Sequence, residues 1–276
     1  MTVLVTGAGG QVGRAVLGVL GDRGVGLGRA DLDVTDPDAV MAAVALHRPD
    51  VVLHCAAWTD VDGAESDHVG ATRANVDANR HVARAARAHG ARLVTLSTDF
   101  VFDGAKGAPY VESDPTGPLS FYGETKLLGE RAALDEHPDG TWVVRTAWIY
   151  DAGDGNFPGL IRRLAAERDV LRVVTDQVGS PTYAGHLAPL LVDLPERIAP
   201  GVVHIAGSGA ASRLEWAAAV LASCGLDCRL EPATSDAFPT PARRPAYSAL
   251  ASERPDAPVL PPWRDGVEAC MAGFSA

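Results

Sequence analysis

Cysteine is scarce in this chain: four in 276 residues, Cys55, Cys224, Cys228 and Cys270. They form no CxxC pair and no disulfide framework. Nothing near Cys224 and Cys228 completes a ligand set, so no metal is expected. Reduced thiols imply a reducing compartment. Positive charge is also in short supply, with 24 Lys and Arg against 35 Asp and Glu and a net charge of −11. That balance argues against nucleic acid or an anionic membrane as the main partner, while leaving room for a local basic pocket. No apolar run reaches transmembrane length. The start, Met1-Thr2-Val3-Leu4-Val5-Thr6, lacks the basic and long apolar regions of a signal peptide. No internal repeat or low-complexity tract stands out. These absences leave a cytoplasmic, globular chain as the expectation.

What is present suits a large α/β unit. Hydrophobic residues make up 47% of the chain, enough for a sizeable core. Residues 2–6 read as a strand ending in a glycine cluster, followed by Val12, Val16, Leu17 and Leu20 at helical spacing. Further strands are expected at Val25 to Leu27, Val51 to His54, Leu93 to Leu96 and Trp142 to Thr146, with helices over 37–47, 71–89 and 120–136. Alternation of this kind predicts a Rossmann-type, doubly wound parallel sheet. After residue 150 the rhythm loosens, leaving short strands near 171–174 and 202–205, a helix near 213–223 and a proline-rich stretch over 232–262. The expected division is a dinucleotide-binding domain over 1–149 and a mainly substrate-binding lobe over 150–276, partly interleaved with the first.

The first strand-to-helix turn is Gly7-Ala8-Gly9-Gly10-Gln11-Val12-Gly13. Glycines at such a turn let backbone approach a diphosphate, and the helix start supplies free N–H groups and partial positive charge. The spacing is GxxGxxG rather than GxGxxG, yet its place after the first strand points to a nicotinamide dinucleotide. The second strand ends in Leu27-Gly28-Arg29. An arginine there suits a ribose 2′-phosphate and favours NADPH. Asp31 and Asp33 follow closely and keep NADH possible.

Tyr122-Gly123-Glu124-Thr125-Lys126 places a tyrosine and a lysine four residues apart on one helical face. A lysine charge so placed is expected to lower the tyrosine pKa, preparing it for proton transfer to a carbonyl oxygen. Thr98, just after the fourth strand, lies at the sheet edge where ligands bind and can align that oxygen. Thr98, Tyr122 and Lys126 are therefore the candidate catalytic set.

Together these residues resemble the dTDP-4-dehydrorhamnose reductases of the extended short-chain dehydrogenase/reductase superfamily. The resemblance also runs through Cys55-Ala56-Ala57-Trp58-Thr59, Ser97-Thr98-Asp99-Phe100, Arg145-Thr146-Ala147-Trp148, Asp176-Gln177-Val178-Gly179-Ser180-Pro181-Thr182 and Thr240-Pro241-Ala242-Arg243-Arg244-Pro245. It implies that Gly10, Gln11 and Val12 touch the cofactor diphosphate and that Asp33 and Val34 flank the adenine. It implies that Ala56, Ala57 and Thr59 line the cofactor path, Thr59 facing the sugar. Asp99 and Trp148 would contact the sugar, and Arg243 or Arg244 the nucleotide diphosphate. Metal-bridged dimerisation in this family uses a glutamate in the first helix, where this chain has Ala15. The implied assembly is a monomer or a weak homodimer. Phe100 after Asp99 removes the second acid of the related dehydratases.

The implied reaction is NAD(P)H-dependent reduction of the 4-keto group of a dTDP-4-keto-6-deoxysugar, giving dTDP-L-rhamnose. Two alternatives are a ketoreductase for another deoxysugar of secondary metabolism and a regulatory subunit that binds NADP without turnover. The intact Thr98, Tyr122 and Lys126 set argues against the last. On the cofactor, fluorescence titration should find tighter binding of NADPH than of NADH, and Arg29→Ala should weaken NADPH selectively. Equal affinities in the parent chain would remove the role given to Arg29.

Overall fold

The computed structural model describes residues 1–274. β1 (Val3–Thr6) turns into α1 (Gln11–Leu20), and β2 (Gly24–Leu27), α2 (Pro37–His47) and β3 (Val51–His54) follow. α3 (His68–Thr72), a π-turn over Arg73–Asp77 and α4 (Ala78–Ala88) form one helical run, which starts at His68 rather than at residue 71. Next come β4 (Arg92–Thr98), α5 (Phe121–Glu136) and β5 (Thr141–Thr146). The helix ends follow local chemistry. Asp36 accepts from the Asp38 and Ala39 N–H groups ahead of Pro37, and Ser120 accepts from the Gly123 N–H.

The second half holds β6 (Ile149–Tyr150), α6 (Phe157–Glu167), β7 (Val170–Val174), β8 (Val178–Gly179), β9 (Thr182–Tyr183), α7 (Ala184–Arg197) and β10 (Gly201–His204). It continues with β11 (Ala211–Ser212), α8 (Arg213–Cys224), β12 (Arg229–Ala233) and α9 (Trp263–Ala272). The sequence pattern does not announce α7, because Pro189 and Pro195 stand inside it. Of the stretch 234–262, only a short 3₁₀ turn at Ser235–Ala237 is helical. Among the described residues, no helix is long and apolar enough to cross a membrane.

Six strands form one parallel sheet in the order β2-β1-β3-β4-β5-β10. Side chains alternate between its faces. Val3 and Val5 of β1 pack with Val12 and Val16 of α1 and Leu187 and Leu191 of α7. Leu4, between them, packs with Val40 and Val44 of α2 and Val82 and Ala86 of α4. Both faces are thus covered, as a parallel sheet requires. β10 and α7 come from the second half yet complete this sheet and its cover. The rest of that half packs around Trp216, Tyr150 and Trp263. The strand order reverses between β1 and β3, so a crevice opens at their carboxyl ends.

Beneath the crevice lies a buried ion pair. Arg145 of β5 donates to both carboxylate oxygens of Glu130 on α5, from Nε at 2.9 Å and Nη2 at 2.7 Å. The Ser97 hydroxyl also donates to Glu130, and the guanidinium lies over the Phe102 ring at 5.3 Å. Removing one partner leaves an uncompensated buried charge. Glu130→Ala should therefore cost about 3–5 kcal/mol in chemical denaturation, whereas the double change Glu130→Leu with Arg145→Met should recover much of the loss. A Glu130→Ala chain as stable as the parent would contradict this account of the pair.

Candidate active site

A cleft of about 1180 Å³ opens at the carboxyl edge of the sheet. The glycine turn enters it through Gly7, Gly10, Gln11 and Val12. Arg29, Asp33 and Val34 line it after β2, and Ala56, Ala57 and Thr59 after β3. Thr98, Tyr122, Lys126 and Trp148 line it as well. Asp99, Arg243 and Arg244 are not among its lining residues.

The glycines are there for close approach. Gly7 has φ +67°, and a Cβ on it would lie 2.6 Å from the Ala56 nitrogen. A Cβ on Gly13 would lie 2.4 Å from the Gly7 carbonyl oxygen. The start of α1 therefore packs directly on the turn. Gly10 caps that helix without a side chain, and its first turn carries no acid. Free N–H groups at a positive helix end, next to bare backbone, suit a diphosphate. Asn156, the cap of α6, donates to the Gln11 side chain at 3.1 Å and ties the second half to this turn.

At the far side of the turn, Asp33 accepts from the Thr35 N–H at 2.9 Å and from its hydroxyl at 2.8 Å. The Thr35 N–H and hydroxyl hold the Asp33 carboxyl below its usual range. Thr35 in turn accepts from Arg73 at 3.0 Å, and both residues line the cleft beside the exposed Arg29. Sequence reasoning missed Arg73. It sits on the π-turn, far from the glycine motif, and no local pattern marks it.

Thr98 ends β4, and Tyr122 and Lys126 occupy the first two turns of α5. All three are buried. Burial pushes the Tyr122 hydroxyl up to about 12; the Thr98 hydroxyl opposes that and the Asp99 carboxylate adds to it. Burial pulls Lys126 down to about 8, against the Glu130 carboxylate. Its ammonium donates to the Leu96 carbonyl at 2.7 Å. This differs from the expected lysine-lowered tyrosine. Loss of water at the phenol is the largest influence on it and raises its pKa, which favours the protonated form that a proton donor needs.

Asp99 lies behind Thr98, 2% exposed. It accepts from the Thr98 hydroxyl at 3.1 Å and from the Ser248 hydroxyl at 2.5 Å. Burial pushes its carboxyl up to about 6, against those two hydroxyls. Ser248 was also missed, because it arrives from the proline-rich stretch, which has no periodicity to read.

After β5, Trp148 adopts φ +46°, and the Arg213 guanidinium lies 3.5 Å from its ring centre. Arg244 is committed elsewhere: it grips Asp62 at 2.7 and 3.2 Å and donates to the Thr240 hydroxyl at 2.5 Å. Asp62 also accepts from the Ala242 N–H at 3.1 Å. The pair latches the loop around 240–245 onto the segment after β3. Arg243 is exposed. Asp176 holds the same loop further up, accepting from the Ser235 hydroxyl at 2.8 Å.

The lysine has a measurable consequence. Its folded-state pKa is lowered from 10.5 to about 8, so its charge is present below that pH and is lost as pH rises through it. Activity should fall on a basic limb near pH 8, and Lys126→Arg should move that limb upward. A pH profile flat through pH 10 would show that the lysine charge is not needed.

The chain matches the family model described as RmlD substrate binding domain over residues 1–275. It is 45% identical to a dTDP-4-dehydrorhamnose reductase of Streptomyces griseus, over 99% of this chain and 93% of that one. It is 40% identical to a probable dTDP-4,6-dihydroxy-2-methyloxan-3-one 4-ketoreductase of Streptomyces antibioticus, over 99% and 95%. Among solved structures, the dTDP-4-dehydrorhamnose reductase of Bacillus anthracis in complex with NADP superposes with a TM-score of 0.95 at 32% identity, over 99% of this chain and 100% of that one. Matched from end to end in both sequence and fold, the chain belongs to the dTDP-4-dehydrorhamnose reductase family.

Proposed function

We propose that this chain reduces the 4-keto group of dTDP-4-dehydrorhamnose to give dTDP-L-rhamnose, using NADPH. The observation that carries this reading is the burial of Thr98, Tyr122 and Lys126 together in the cleft that also holds the glycine cradle. The names of the Streptomyces griseus and Bacillus anthracis relatives support it. Residues 1–149 would carry the cofactor and 150–276 most of the substrate contacts, with α7 and β10 serving the first unit. In the cell we place the chain in the cytoplasm as a monomer or weak dimer, in keeping with its four free thiols.

Gly7, Gly10, Gln11 and Val12 would hold the cofactor diphosphate, Arg29 the 2′-phosphate, and Asp33 and Val34 the adenine. Ala56, Ala57 and Thr59 would flank the remainder, with Tyr122 and Lys126 at the nicotinamide ribose. When bound, this group supplies a hydride to the keto carbon. The chain handles the proton. A ketone oxygen seated between the Thr98 and Tyr122 hydroxyls gains negative charge as its carbon is reduced, and Thr98 would donate to it by turning its proton away from Asp99. Tyr122, protonated because it is buried, passes its proton to that oxygen. Lys126, charged below about pH 8, favours the phenolate left behind. Asp99 and Ser248 fix Thr98 from behind.

A second reading, a 4-ketoreductase for another deoxysugar, is favoured by the Streptomyces antibioticus relative. NADPH oxidation with dTDP-4-dehydrorhamnose, followed by NMR of the product, separates the two through the configuration of the new alcohol. Tyr122→Phe should cut kcat by roughly 10²-fold or more while leaving NADPH affinity little changed. Absence of NADPH oxidation by the parent would end the leading reading. Near-full activity in Tyr122→Phe would move the proton donor elsewhere.

A further inference from the structure

Arg213 is placed where an arginine is costly. It is the first residue of α8, directly after the Ser212 cap. A cation there faces the positive end of the helix dipole, a position that favours acids. Burial pulls its pKa down to about 10; the Asp99 carboxylate opposes this and the Arg244 guanidinium adds to it. Its main-chain N–H goes to the Gln177 carbonyl at 3.3 Å. Among the described residues, its guanidinium has no hydrogen-bond or ion-pair partner. The Asp99 carboxylate favours its charge from nearby but accepts its hydrogen bonds from Thr98 and Ser248, not from Arg213.

What holds the guanidinium is aromatic. Its central carbon lies 3.5 Å from the Trp148 ring centre, 5.3 Å from that of Phe157 and 5.5 Å from that of Trp216. Stacking engages the flat face of the group and leaves its five N–H bonds, which lie in the plane, unused. A half-buried planar fork with unspent donors matches an anion with two oxygens to offer. Trp148, beneath it, lines the cleft. Arg244, a natural candidate for such an anion from sequence, is already engaged through Nη1 and Nη2 with Asp62, Thr240 and the Ala242 carbonyl.

We infer that Arg213, laid flat on Trp148, anchors the diphosphate of the sugar nucleotide, while Arg244 acts as an internal latch. This rests on the reading of the substrate as a nucleotide sugar. It also gives the Trp148 ring a second task, that of holding the anchoring cation in place.

Calorimetric titration of the full chain with dTDP and, separately, with NADPH tests the assignment. Arg213→Met keeps an unbranched apolar stem against Trp148 and removes the fork. It should weaken dTDP roughly 10- to 100-fold, the range expected for lost charge-assisted hydrogen bonds, and leave NADPH affinity unchanged. Arg213→Lys, which keeps the charge without the bidentate geometry, should fall between Met and the parent. It also serves as the second variant if Met disturbs folding. In turnover, KM for the sugar nucleotide should rise more than kcat falls. Parent-like dTDP affinity in Arg213→Met overturns the assignment, as does an equal loss of NADPH affinity. A parent chain that binds dTDP through Arg213 but never oxidises NADPH with dTDP-4-dehydrorhamnose would sink the functional reading and leave the anchor standing.

Discussion

The buried pair of Glu130 and Arg145 sets the geometry on which the site depends. Ser97 and Arg145 are register partners across β4 and β5, and His204 of β10 is the register partner of Arg145 on its other side. Glu130 reaches this row from α5, one helical turn beyond Lys126. A bidentate bond tolerates little sliding or rotation of either partner. It therefore fixes the height of α5 over the sheet. Tyr122 and Lys126 sit on the same helix, and Thr98 is the residue after Ser97. One charge pair thus aligns three side chains that come from two separate elements.

The same dryness that makes the pair costly to break tunes the chemistry. Water excluded around α5 drives the Tyr122 hydroxyl up, the Lys126 ammonium down and the Asp99 carboxyl up. Each shift has the sign that burial of the charged form dictates. The result is a protonated phenol beside a lysine whose charge is only moderately held. That arrangement favours proton delivery to a forming alkoxide over proton removal from an alcohol.

The stretch from residue 234 to 250 is held by side-chain contacts more than by regular elements. The Asp62 and Arg244 pair, the Asp176 contact to Ser235 and the Ser248 contact to Asp99 pin an otherwise irregular stretch to the segments after β3, β7 and β4. Ion pairs of this partly exposed kind add little stability by themselves. Their use is positional, since they join segments far apart in the chain.

Much of this protein is legible in its amino-acid sequence alone. The alternation of β-branched runs with helical spacing in the first half determined the parallel sheet. The turn from Gly7 to Gly13 determined a bare-backbone edge of the cleft, because no side chain fits at Gly7 or Gly13. Tyr122, Lys126 and Thr98 were readable since spacing along a helix and position after a strand are local properties. α7 was hidden by Pro189 and Pro195, whose helix-breaking tendency tertiary packing on α1 overrides. Arg73, Ser248 and Arg213 were hidden for another reason. Each acquires its role from neighbours distant in sequence, and no periodicity encodes such a meeting. Tertiary structure alone decided which arginine pairs with Asp62 and which has no ion-pair partner among the described residues. It also decided the pKa of Tyr122, because desolvation is set by what the whole fold packs around a group and not by the residues beside it in the chain.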